Sequence, residues 1–181
     1  MIDFPLPLLG FCAYSGTGKT TLLTKLLPLL KDEDLSIAVV KHAHHRFDID
    51  HPGKDSYELR QAGAEQMLVA SRRRIAFVKE IREPHREPVL EEALAVLSTD
   101  ELDLVLVEGF KHAAIPKIEL HRPALGKPLL YPHDSQIIAI ATDAPLETKP
   151  AIVQLDLNAP GAIVTFILNT FLRQAAMTSC L

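Results

Sequence analysis

Apolar positions along this chain fall into short unbroken runs separated by stretches of helical spacing. That is the pattern of strands buried on both faces with helices packed over them. The run from Leu6 to Cys12 predicts a first strand. Leu22, Leu23, Leu26, Leu27 and Leu30 then recur on one side of a helix, with Pro28 predicted to kink or end it. Ser36–Lys41 is a second buried strand. Asp55-Ser56, followed by Glu58, predicts a capped short helix stopping at Gly63. Gln66–Ala70 and Arg74–Lys79 are strand-like runs, a hairpin or two neighbours, joined at Ser71-Arg72-Arg73.

Further on, Val89–Leu97 carries Leu90, Leu94 and Leu97 along one side of a helix, and Leu102–Glu108 is a buried strand ending in a carboxylate. Lys117–Arg122 alternates and predicts a strand with one exposed face. Gln136–Ala141 and Ala151–Asp156 predict two more strands. A last helix spans Gly161–Gln174, with Ile163, Phe166, Ile167 and Phe171 inward. Strands alternating with helices define an α/β fold with a mostly parallel sheet.

The stretch between the first strand and the first helix, Ala13-Tyr14-Ser15-Gly16-Thr17-Gly18-Lys19-Thr20-Thr21, turns this fold class into a candidate chemistry. It is a Walker A phosphate loop in its strand–turn–helix context. Gly16 and Gly18 let the backbone curl its N–H groups around phosphate oxygens, and the helix N-terminus adds partial positive charge. Lys19 is placed for the β and γ phosphates and the Thr20 hydroxyl for Mg²⁺. Ala13 stands where the general pattern has Gly. Glu108, emerging from an apolar strand, has the form of a Walker B acid. Asp143 follows a late strand, where an Asp can accept hydrogen bonds from guanine, but no Asn-Lys-x-Asp motif accompanies it.

The loop after the second strand holds His42, His44, His45, Asp48, Asp50, His51 and Lys54. It lies at a strand C-terminus, where open α/β sheets bind ligands. Three readings stay open: a transition-metal site (although the spacing fits no zinc template), contact with an anionic ligand, or solvated residues. Asp50, or Asp48, is a candidate for holding Mg²⁺ indirectly or positioning water. Arg72–Arg74 is a solvated turn or faces an anion.

Composition narrows the field. At 181 residues, 48% of them apolar and 23% charged, the chain fits one globular domain, residues 1–181, with a full core. A net charge of −4 gives no general case for nucleic-acid binding. Cys12 and Cys180 show no pairing pattern, which points to a reducing compartment, with Cys12 a small buried hydrophobe. No basic segment precedes the N-terminal apolar run, and no apolar stretch approaches the ~20 residues of a membrane span. A cytoplasmic protein with no membrane partner is expected.

Several segments together are more specific than the phosphate loop alone. Ala13–Leu23, Val40-Lys41-His42-Ala43-His44-His45, Asp48–Ala64 with Gly53-Lys54-Asp55-Ser56, and Val107-Glu108-Gly109-Phe110-Lys111-His112 resemble the MobB family of molybdopterin-guanine dinucleotide biosynthesis adaptor proteins. The resemblance covers nearly the whole chain and includes Ala13. It implies a three-layer phosphate-loop fold that binds GTP with Mg²⁺, with weak GTPase activity. It also implies a homodimer formed through strands outside the main sheet, with residues 67–79 or 115–122 as candidates. The implied partner is the guanylyltransferase that builds the dinucleotide form of the molybdenum cofactor, and contact with the molybdopterin cofactor itself is a further expectation.

By position, Ser15, Gly16, Thr17, Gly18, Lys19, Thr20, Thr21 and Asp143 become nucleotide-binding candidates. Lys19 and Glu108 become the catalytic candidates, and Thr20, Glu108 and Asp50 those toward the metal. A small-molecule kinase or ATP-dependent ligase of the same fold and a metallochaperone GTPase are the alternatives. No Gln or Arg is placed by motif to orient water or stabilise a transition state, so slow turnover is expected.

Overall fold

The five residues of strand β1, Leu8–Cys12, are all buried, because the strand lies inside a sheet with neighbours on both sides. The computed structural model describes residues 2–43, 47–81, 86–146 and 150–178. Two compact units result, one of residues 1–42 with 89–181 and one of residues 43–88.

In the first unit, β1 is joined by β2 (Ile37–Lys41) and the strands that follow residue 88. With β3 and β4 kept for the second unit, these are β5 (Leu104–Glu108), β6 (Lys117–His121), β7 (Ile137–Thr142) and β8 (Val153–Asp156). The spatial order is β2-β5-β1-β6-β7-β8, with every pairing parallel. From β1 the chain crosses first to the edge strand β2, returns to lay β5 between the two, and then adds β6, β7 and β8 in turn on the other side of β1. The C-terminal end of β1 is therefore a topological switch point, where such sheets open a crevice.

Alternation along the strands feeds two cores. Leu9, Phe11, Leu104, Leu106, Ile118 and Leu120 meet helix α1 (Lys19–Asp32) and the C-terminal helices. Leu8, Val105 and Val107 meet helix α3 (Leu90–Leu94) on the other face. Helix, sheet and helix make the three layers expected.

Helix α1 does not end at Pro28 but carries through it to Asp32. The lost backbone bond costs about 3 kcal/mol. Beyond the proline, Leu30 is fully buried, and a buried leucine is worth about that much to the packing. The last helix begins one residue early, with Pro160 at its first position, and is not uniformly α. Helix α4 (Pro160–Phe166) widens into a π-helical stretch, Ile167–Leu172, before α5 (Arg173–Thr178), and Ile167 and Phe171 stay buried through the change.

The expectation for residues 117–122 needs a larger correction. Strand β6 has no exposed face, because it is paired between β1 and β7 and all five of its residues are buried. Lys117 and Glu119 are satisfied inside. Lys117 Nζ lies 2.9 Å from the Asp134 carboxylate and donates to the Ala113 carbonyl. The Glu119 carboxylate accepts the backbone N–H groups of Leu130 and Tyr131 at 2.8 and 2.9 Å. The alternation therefore records a polar segment lying over the strand instead of water, and β6 is withdrawn as a dimer strand.

The second unit holds helix α2 (Asp55–Gln61) and strands β3 (Gln66–Ala70) and β4 (Ile75–Lys79), an antiparallel hairpin apart from the main sheet. Asp55 is the first helical residue and not the cap. The cap position is Lys54, which makes no side-chain capping bond. Ser71 closes the hairpin turn by donating to the Arg74 carbonyl and accepting the N–H groups of Arg73 and Arg74. Arg60 is the organising cation of this unit. Its guanidinium donates to Glu80 at 2.6 Å and Asp48 at 2.9 Å, tying the loop, the helix and the end of the hairpin together.

Candidate functional site

The chain leaves β1 through a left-handed turn that only glycine makes cheaply, with Gly16 at φ 81° and Gly18 at φ 98°. Thr17 is buried in the bend, and its hydroxyl donates to the Tyr14 carbonyl at 2.8 Å, which holds the loop closed on itself. A side-chain atom added at Gly16 would meet nothing within 4 Å, so the loop opens onto free space there. Helix α1 starts at Lys19 behind Gly18, with no side-chain cap and no acidic residue in its first turn. Its first N–H groups and positive dipole end thus remain for an anion from outside the chain. Ser15, Thr20 and Thr21 lie exposed around this end. The Lys19 ammonium folds back to the Ala13 carbonyl at 3.4 Å. Burial holds its pKa below the usual lysine value, against the opposing pull of Glu108.

Strand β5 flanks β1 on one side and delivers Glu108, which is buried, to the loop. The Thr20 hydroxyl donates to Glu108 Oε1 at 3.3 Å, across 88 positions of sequence. Oε2 of the same carboxylate is taken by Lys41 Nζ at 2.8 Å, from the end of β2. Hydroxyl and carboxylate oxygens are the donors a hard divalent cation requires, so Thr20 and Glu108 fit Mg²⁺. The β2–β5 pairing carries on past the end of β2, where the His42 N–H donates to the Glu108 carbonyl at 2.8 Å. The His42 ring stacks on Phe110 at 5.0 Å.

On the other side of β1 lies a group that the motif reading missed. Arg122, the residue after β6, donates from Nε to the Thr17 carbonyl at 2.9 Å and from Nη1 to the Asp143 carboxylate. Asp143 is thus brought to the back of the phosphate loop, but already engaged. The available signal was position, since Arg122 ends a parallel strand on the ligand edge of the sheet. Lys41 carried the same signal.

The remaining candidates fall elsewhere. Asp50 lies in the second unit, where its carboxylate accepts the Ser56 hydroxyl at 3.1 Å and faces Arg60 Nε at 3.6 Å. His44 and His45 lie outside the described residues. Among the described residues no cluster of three or more metal-ligating side chains occurs, and no helix is long and apolar enough to cross a membrane. Burial raises the Cys12 thiol pKa to about 12, as suits a small hydrophobe.

A topological switch point, a glycine-built anion cradle and a buried carboxylate beside the first helix define a phosphate-loop α/β protein. The sequence profile of MobB, molybdopterin guanine dinucleotide synthesis protein B, matches residues 8–143. The chain is 46% identical to the molybdopterin-guanine dinucleotide biosynthesis adapter protein of Escherichia coli K12 over 93% of its own length and 95% of that protein. It is 43% identical to the adapter protein of the same description from Haemophilus influenzae, over 91% and 89%. A crystal structure of molybdopterin-guanine biosynthesis protein B superposes with a TM-score of 0.68 at 27% identity, over 90% of this chain and 98% of that one. The chain belongs to the MobB family.

Proposed function

We propose that this chain is a cytoplasmic GTP-binding adaptor that assists the guanylyltransferase of molybdopterin-guanine dinucleotide biosynthesis. The observation that carries the reading is the meeting of Thr20 and Glu108 at the mouth of the phosphate loop, within a chain of this family. In this reading Ser15 to Thr21 wrap the phosphates, Lys19 neutralises the β and γ oxygens, and Thr20 with Glu108 holds Mg²⁺. When bound, that ion would supply positive charge to offset that of the phosphates. The chain's own residues bind and orient the triphosphate. Among the described residues no group is aimed to activate water, which supports slow turnover and a binding role over a catalytic one. The chain acts as one nucleotide-binding protein and pairs with a second copy through the β3–β4 hairpin.

Calorimetry of GTP and ATP with Mg²⁺, on the wild type and Lys19→Ala, tests the core of this. GTP is expected to bind well and ATP weakly. The variant should lose at least about 30-fold, the worth of a charged hydrogen bond of about 2 kcal/mol. Equal or better ATP binding would sink the guanine reading in favour of a kinase or ligase.

A further inference from the structure

The phosphate loop has two differently built sides, because β5 and β6 flank β1 on opposite edges. The β5 side is the cation side, with Thr20, Glu108 and Lys41 in contact. The β6 side carries Arg122 and Asp143. A triphosphate whose terminal oxygens meet Lys19 and the Thr20–Glu108 pair, and whose nucleoside lies on the opposite side of the loop, would bring its base beside Arg122 and Asp143.

Arg122 is tied there at two points. Nε holds the Thr17 carbonyl, a backbone atom of the loop itself, and Nη1 holds Asp143, the residue that follows β7. Nη2 lies 3.7 Å from where a side chain on Gly18 would begin, so the guanidinium plane hugs the end of the loop. A guanidinium is a rigid planar fork, so fixing two of its nitrogens fixes the positions of both partners relative to each other. The Asp143 carboxylate, which accepts one N–H group from Arg122, keeps lone pairs for others.

We propose that Arg122 is the positioning residue for base discrimination. It clamps the Asp143 carboxylate to the loop, so that the anion cradle and the base-reading acceptor form one rigid part. A base edge with adjacent N–H donors, as in guanine, matches the free lone pairs. Adenine sets a ring-nitrogen acceptor against the same carboxylate and is disfavoured. This inference rests on the GTP-binding reading and names the residue that makes it selective.

The test compares GTP, ATP and inorganic tripolyphosphate, each with Mg²⁺, on the wild type, Arg122→Ala, Arg122→Lys and Asp143→Ala. Arg122→Ala is expected to weaken GTP at least about tenfold and to shrink the GTP-to-ATP ratio by a similar factor, while tripolyphosphate stays within about twofold. Asp143→Ala should reproduce that pattern, and Arg122→Lys, which keeps the charge beside Asp143, should restore part of the ratio. An equal loss for tripolyphosphate in Arg122→Ala places the residue on the phosphates and overturns the inference. So does an unchanged GTP-to-ATP ratio in either alanine variant. Wild-type protein that binds tripolyphosphate but shows no preference for GTP defeats the GTP-binding reading itself, which separates the two failures.

Discussion

The Lys41 ammonium sits 2.8 Å from one oxygen of the Glu108 carboxylate while the Thr20 hydroxyl holds the other. Both oxygens of the acid proposed to face the metal are therefore engaged within the chain, one of them by a cation. A divalent ion bound by Thr20 and Glu108 must displace Lys41 or share the carboxylate with it. Lys41 is about half exposed, so the pair is partly screened and worth about 1 kcal/mol at most. Replacing Lys41 with Met should lower the Mg²⁺ concentration that half-saturates GTP binding by up to about fivefold. A Mg²⁺ titration with the nucleotide in excess reads this directly, and an unmoved midpoint means that Lys41 does not compete for the site.

Glu119 makes a pH-dependent contribution to stability. Burial raises its pKa above the usual carboxylate value, opposed by the N–H groups of Leu130 and Tyr131. The folded protein thus holds this proton more tightly than the unfolded chain does. The contribution is most favourable below the unfolded value and declines as pH rises through the raised folded value. In Glu119→Gln that decline disappears, although one of the two N–H groups loses its acceptor at a fixed cost of about 1–3 kcal/mol. Urea denaturation from about pH 4 to about pH 8 should show the wild type's advantage over the variant shrinking as pH rises, across the usual range of carboxylates and above it. An advantage that grows with pH contradicts the assignment.

Gly109 and Gly126 separate strain from crowding. Both have positive φ, at 104° and 59°, but a side chain on Gly109 would begin 2.8 Å from the His42 Cβ, whereas Gly126 faces nothing within 4 Å. Gly126→Ala should cost about 1 kcal/mol from the backbone alone. Gly109→Ala should cost about 3 kcal/mol or more, because β2 is pinned there by the His42–Glu108 backbone bond. Equal losses in denaturant titrations would show that the β2 end yields freely.

The hairpin carries the proposed self-association. Leu68 pairs with Phe77 and Ala70 with Ile75, which puts Leu68, Ile75 and Phe77 on one face, and all three are exposed. A two-stranded hairpin with such a face is marginal alone and gains from being covered. Leu68→Lys combined with Ile75→Lys should convert a dimer to a monomer in sedimentation velocity. Since both side chains are exposed, the stability of each protomer should change little. A dimer that survives both changes is held together elsewhere.

Much of this protein was determined by local sequence. The buried runs at Leu8–Cys12 and Leu104–Glu108, the glycines of the phosphate loop and the spacing of Leu22, Leu26 and Leu30 act through periodicity and backbone freedom, which neighbours in sequence decide. The α/β class and the anion cradle were legible for that reason. What lay beyond local reach was decided by partners distant in the chain. Pro28 stayed helical because Leu30 had a core to enter. Lys117 and Glu119 read as solvent-facing, yet Asp134 and the Leu130–Tyr131 backbone cover them. Arg122 and Lys41 took their places beside the loop only when β6 and β2 were set into the sheet. A charged side chain carries no mark of its partner in its own neighbourhood, and only the folded arrangement supplies the counter-charge.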